Sequence, residues 1–145
     1  MQDRLKDEMK QAMKSRNKVR LGVIRLMMAA IKQKQVDERI VLDDDQVIVV
    51  LDKMLKQRRE SIRQYRDANR VDLAEVEEAE VLVIQDFLPL ALTEEEIADM
   101  VKSAINDCSA SSIKDMGKVM GILKPAMQGR ADMAVVSVKI KEILG

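Results

Sequence analysis

Apolar residues return at three- and four-residue intervals along the whole of this 145-residue chain. That spacing lines one side of an α-helix, and no stretch alternates as a strand would. The only prolines are Pro89 and Pro125, so few points force a break. The predicted fold class is all-α. Tyr65 and Phe87 are the only aromatic residues, so the core has to be built from Leu, Ile, Val, Ala and eleven Met.

A first helix is predicted over residues 3–16, with Leu5, Met9, Ala12 and Met13 on one side. After Asn17 a second runs to about Gln35, apolar on nearly every side, as expected of a central buried helix. Asp43, Asp44 and Asp45 suit the positive end of a third helix, whose stripe includes Val47, Val50, Leu51, Met54, Leu55, Ile62 and Tyr65. A fourth spans about Asp72 to Leu88 and is stopped by Pro89; the short link near Asn69–Val71 makes these two an antiparallel hairpin. Leu88–Leu92 reads as a junction, followed by a capping box of Thr93 and Glu96. The fifth helix reaches about Asp107, Ser112 caps a sixth that Pro125 and Gly129 end, and Asp132 caps a seventh through Leu144. The expectation is a four-helix N-terminal unit over residues 1–89 and a small three-helix C-terminal domain over residues 92–145.

Formal net charge is zero, yet residues 1–70 hold 18 Lys/Arg against 11 Asp/Glu, whereas residues 71–107 hold 1 against 11. Residues 108–145 are basic again, 6 against 3. Charge is thus segregated rather than absent, which leaves room for a local basic patch. With no histidine and only Cys108, the chain lacks the groups for Ser-His-Asp or Cys-His catalysis and for Cys/His zinc sites. One cysteine cannot make an internal disulfide, and the N-terminus lacks a signal-peptide run, so a cytosolic protein without a membrane span is expected.

The stretch from Ser111 to Asp132 is the most informative. At ~100° per residue Ile113, Met116, Val119, Met120 and Leu123 share one face, and Lys114, Gly117, Lys118 and Gly121 share the opposite one. An interior glycine costs about 1 kcal/mol of helix stability relative to alanine. Glycines on the outward side therefore suggest close approach to the backbone, flanked by lysines. Three uses stay open: a nucleic-acid backbone, a protein contact, or a plain solvated surface. Gly129 and Arg130 add a cation near the start of the last helix.

A second basic strip, Lys56, Arg59, Arg63, Arg66 and Arg70, would run for about 21 Å along the third helix. The acidic fourth helix beside it favours pairing across the hairpin over phosphate tracking. Arg58 and Glu80 interrupt apolar stripes and are expected to be partly buried partners. Ser111-x-x-Lys114 has the spacing of some acylating serine enzymes but lacks their companion motifs. The acidic triplets read as caps, not metal ligands, and Cys108 as a structural thiol. No catalytic residue, metal site or cofactor is expected.

The sequence resembles the GatB/YqeY family along essentially its whole length. The match is carried by Arg25-Leu26 with Ala29-Ala30-Ile31-Lys32, by Lys56 to Ile62, by Glu77-Glu78-Ala79-Glu80 with Leu88-Pro89, and by Lys114 to Gly121 with Pro125 and Gly129-Arg130-Ala131-Asp132. The resemblance implies an all-helical, two-part fold whose C-terminal part is similar to the tail domain of GatB, a component of the tRNA-dependent amidotransferase. It also implies tRNA-facing roles for Lys114, Gly117, Lys118, Gly121, Lys124, Gly129 and Arg130. Relatives tend to carry further lysines after the proline and a glycine after the Ala-Asp pair, where this chain has Ala126, Gln128 and Met133. The amidotransferase's catalytic machinery does not lie in this tail. The expected function is a non-catalytic tRNA-binding accessory protein. The alternative is a module that docks on an aminoacyl-tRNA synthetase or an amidotransferase.

Overall fold

The structure, a computed structural model, describes residues 1–145. It contains seven α-helices and no strand: α1 (Gln2–Lys14), α2 (Lys18–Glu38), α3 (Asp44–Asp67), α4 (Val71–Gln85), α5 (Glu94–Asp107), α6 (Met116–Met127) and α7 (Met133–Leu144). They form two compact units, Met1–Pro89 and Leu90–Gly145.

Local sequence sets most helix starts. Asn17 accepts from the Arg20 amide, and Asp43 and Gln46 exchange side-chain-to-backbone bonds in a full capping box. Thr93 Oγ1 accepts from the Glu96 amide, but Glu96 does not return the bond, so only half of the expected box forms. Helix ends are harder to read because they lack glycine. Arg16, Arg39, Asn69 and Ser109 all take the left-handed conformation just beyond α1, α2, α3 and α5. Hence α2 runs on to Glu38 rather than stopping near Gln35. The fourth helix ends at Gln85 rather than Leu88, because Phe87 and Leu88 turn inward through three-residue amide bonds to Ile84 and Gln85.

In the first unit Leu5, Ile24, Met27, Val47, Leu51, Ile84 and Phe87 form the centre of one core. Helices α3 and α4 pack as a hairpin, and Arg58 Nε donates to Glu80 Oε2 at 2.9 Å with both side chains largely buried. Contrary to its reading as a wholly buried helix, α2 keeps an outer face of Val19, Gly22, Arg25, Leu26, Ala29, Lys32 and Val36. The apolar excess there is surface, not core.

Phe87 is 1% exposed and has a guanidinium on it from each of two helices: Arg4 Cζ lies 4.8 Å and Arg20 Cζ 5.4 Å from the ring centroid. Arg20 also reaches Glu8 at 3.0 Å and Asp86 at 2.8 Å, while Arg4 donates to the Asp86 carbonyl. The carboxylate of Asp86 raises the pKa of Arg20 further, mainly through that hydrogen bond. This cluster locks α1, α2 and the end of α4 together.

The second unit packs Ile97, Val101 and Ala104 of α5 against Val119, Leu123 and Met127 of α6 and Val136 and Ile140 of α7. The Leu92 amide donates to the Arg130 carbonyl, and Arg130 Nε donates to the Leu90 carbonyl. These bonds tie residues 90–92 into the second unit, Leu90–Gly145.

Candidate nucleic-acid interface

Helix α6 starts at Met116, three residues later than a Ser112 cap would place it. Residues Ile113–Asp115 form a single 3-10 turn instead, and Ser112 makes no side-chain cap. Asp115 stands at the N-cap position of α6 without a side-chain cap bond, and its Oδ2 instead closes the turn before the helix by accepting from the Ser111 amide at 3.0 Å. Lys114 thus sits on the turn rather than on the helix, exposed and without an ion pair.

On α6 itself the two faces separate cleanly. Val119, Leu123 and Met127 are buried, with Met116 and Met120 packed beside them. Gly117, Lys118, Gly121, Lys124 and Pro125 are exposed. A Cβ placed on Gly117 or Gly121 would meet nothing within 4 Å. The fold itself does not require glycine at either position. Lys118 Nζ lies 3.7 Å from Asp115 Oδ1, a loose and mostly solvated pair, and Lys124 has no carboxylate partner.

Pro125 does not end α6, which continues through it to Met127. Proline removes one amide donor, so the exposed Gly121 carbonyl lacks its usual partner four residues on. Continuing for another half-turn brings Met127 into the core at 0% exposure, and that burial outweighs the lost bond.

Gly129 and Arg130 have different jobs from the lysines. Gly129 is buried with φ 75, a left-handed conformation in the turn between α6 and α7 that favours glycine. Arg130 is half-buried and spends its Nε on the Leu90 carbonyl. Ala131 packs on the core and Asp132 Oδ1 caps α7 through the Ala134 amide. The Gly-Arg-Ala-Asp block thus also builds a turn. Lys114, Gly117, Lys118, Gly121 and Lys124 are the fully exposed members of the expected set, beside the half-buried Arg130.

The second strip splits. Arg66 pairs with Glu78, and Arg70 pairs with Asp72. Arg70 is not on α3 at all: the helix ends at Asp67, Asn69 turns left-handed, and Arg70 precedes α4 at its N-cap position without a side-chain cap bond. Lys56, Arg59 and Arg63 remain without ion pairs over about 11 Å of helix. Ser111 of the Ser-x-x-Lys match gives its amide to Asp115, and Cys108 is half-buried with a weak contact to the Ile105 carbonyl. No group of three or more His, Cys, Asp or Glu side chains is placed to hold a metal.

The Asp115 carboxylate lies below its ordinary pKa, chiefly because of the Ser111 amide, with smaller help from Ser112 and Lys118. A carboxylate lowered on folding adds stability above its unfolded value, roughly pH 4, and that share is lost as pH falls through the folded value. The turn holding Lys114 is therefore expected to loosen in acid below about pH 4. A pH titration followed by the Ser111 amide resonance should show a midpoint below the ordinary carboxylate value, and Asp115→Ala should remove it.

The sequence matches the family described as Yqey-like protein over residues 2–144. It is 34% identical, over 98% of this chain and 80% of the relative, to a Pyrenophora tritici-repentis protein named altered inheritance of mitochondria protein 41, mitochondrial. A protein of the same name from Vanderwaltozyma polyspora is 36% identical over 71% of this chain and 57% of its own length. An uncharacterized Schizosaccharomyces pombe protein is 36% identical over 54% of this chain and 63% of its own length. No helix is long and apolar enough to cross a membrane. With a family match that spans all seven helices, this chain belongs to the YqeY-like family.

Proposed function

We propose that this chain is a non-catalytic accessory protein that holds tRNA against the Lys/Gly face of its C-terminal unit. The observation that carries the reading is the open glycine face: Gly117 and Gly121 weaken α6 yet pack against nothing in their own fold. Lys114, Lys118 and Lys124 surround that bare backbone and keep their charges in solvent. Such a surface suits phosphates that come close to a helix, with position set by shape rather than by base reading. Two aromatic residues, one of them fully buried, leave no platform for stacking bases, so folded RNA fits better than single strands. A lone thiol and no disulfide suit a reducing compartment, and we place the protein in the cytosol. The link to the tRNA-dependent amidotransferase is one of association, since no residue here supplies its chemistry.

Exposed Ile113 and Ile122 beside the lysines favour a second reading, docking on an aminoacyl-tRNA synthetase or an amidotransferase. Lys114→Glu with Lys118→Glu separates the two. At low salt the double variant is expected to bind bulk tRNA at least about 10-fold more weakly, by fluorescence anisotropy, with unchanged melting. Unchanged tRNA affinity in that variant would favour the protein partner.

A further inference from the structure

The first unit carries a surface that the RNA reading does not use. Between α1 and α2 lies an open-mouthed cavity of about 390 Å³, walled by Leu5, Met28, Ala29 and Ile31 and flanked by Lys6 and Lys32. Gln2 and Gln35 close one end, bonded to each other at 3.0 Å. Helices α1 and α2 are antiparallel, so residues one turn along α1 from Lys6 stand level with residues one turn back along α2 from Lys32. That places Lys10 level with Met28, with Arg25 the next cation along α2. Lys18, Arg25 and Lys32 recur at seven-residue spacing, a row of about 21 Å on the outer side of α2.

All five cations, Lys6, Lys10, Lys18, Arg25 and Lys32, are exposed, and none has a carboxylate partner, whereas Arg20, Lys34, Arg58, Arg66 and Arg70 of the same unit are all paired. By helical spacing Asp3 shares the face of Lys10, seven residues on, and Asp7 lies one turn from it, so the α1 rim is mixed in charge. The groove is therefore apolar along its floor and positive along its α2 rim. A phosphate backbone would use that rim and leave the floor idle. An acidic amphipathic helix would use both, placing leucine-like side chains in the cavity and carboxylates on the row of Lys18, Arg25 and Lys32. We propose that the α1–α2 groove docks an acidic amphipathic helix of a partner protein, independently of the RNA reading.

The test uses the full chain and a fluorescein-labelled 18-residue helical peptide with Leu at i, i+3, i+4 and i+7 and Glu at the remaining positions. A scrambled peptide of the same composition is the control. Ala29→Lys is the discriminating variant, because it fills the cavity while adding a positive charge. Ala29 is already exposed, so the fold tolerates the change, which circular dichroism verifies. Saturable peptide binding is expected to fall about 10-fold or more in Ala29→Lys and in Lys10→Glu with Arg25→Glu, with tRNA affinity unchanged in both. Peptide affinity that holds or rises in Ala29→Lys would mean charge attraction alone and overturn the proposal. It is equally overturned by no preference over the scrambled peptide, or by tRNA affinity that falls in Lys10→Glu with Arg25→Glu. Self-association of the wild type that those substitutions abolish would assign the groove to a second copy and also overturn it.

Discussion

Replacing Phe87 by alanine is expected to destabilise the first unit by about 3–5 kcal/mol, the range for a fully buried phenylalanine. The ring is 1% exposed in a core otherwise made of aliphatic side chains and methionine, with no other aromatic group near to fill the space. Its loss also strips the Arg4 and Arg20 guanidiniums of the surface they lie on. Arg20 would still hold Glu8 and Asp86, but the segment carrying Asp86 is anchored by Phe87 itself. Urea unfolding followed by circular dichroism should show an early transition for residues 1–89 that separates from that of the second unit. A change below about 1 kcal/mol would show that the junction between α1, α2 and α4 is held elsewhere. Phe87→Leu, which keeps most of the apolar volume, is expected to recover the larger part of the loss.

The second large effect runs in opposite directions for stability and binding. Gly117→Ala with Gly121→Ala is expected to stabilise the C-terminal unit by about 1–2 kcal/mol. Both sites are helical, both lack any neighbour within 4 Å of a Cβ, and alanine has the better helix propensity. The same two methyl groups stand where a ligand backbone would approach, so tRNA affinity is expected to fall by about 10-fold. Higher melting with unchanged affinity would leave the lysines as the whole contact and the glycines without a function. Lower melting would contradict the open geometry of the face.

Caps set within one turn of chain were legible from the sequence at Asp43, Thr93 and Asp132, the α3–α4 hairpin followed from its short link, and the Arg58–Glu80 pair from charges on apolar stripes. Sequence misleads where packing or backbone conformation decides. Pro125 does not stop α6, because burying Met127 outweighs one missing hydrogen bond. The apolar residues of α2 do not all face inward, because composition alone does not say which side a neighbour covers. The turn built by Gly129 and Arg130 was not legible either, since it shows only in the φ angle and the bond to Leu90. The Phe87 cluster joins residues 66 or more positions apart, and no local spacing announces it.

If phosphates meet the Lys/Gly face, tRNA binding has to weaken steeply with salt. Fluorescence anisotropy of labelled bulk tRNA with the full chain at ~50 and ~200 mM salt gives the slope. Three exposed lysines, Lys114, Lys118 and Lys124, of which only Lys118 has a loose carboxylate neighbour, predict a slope of about −2.1 to −2.7, so affinity should fall roughly 20- to 40-fold across that range. Charge reversal at Lys114 and Lys118 should flatten it. No binding at either salt, or a steep slope that survives that reversal, would mean that phosphates do not meet this face.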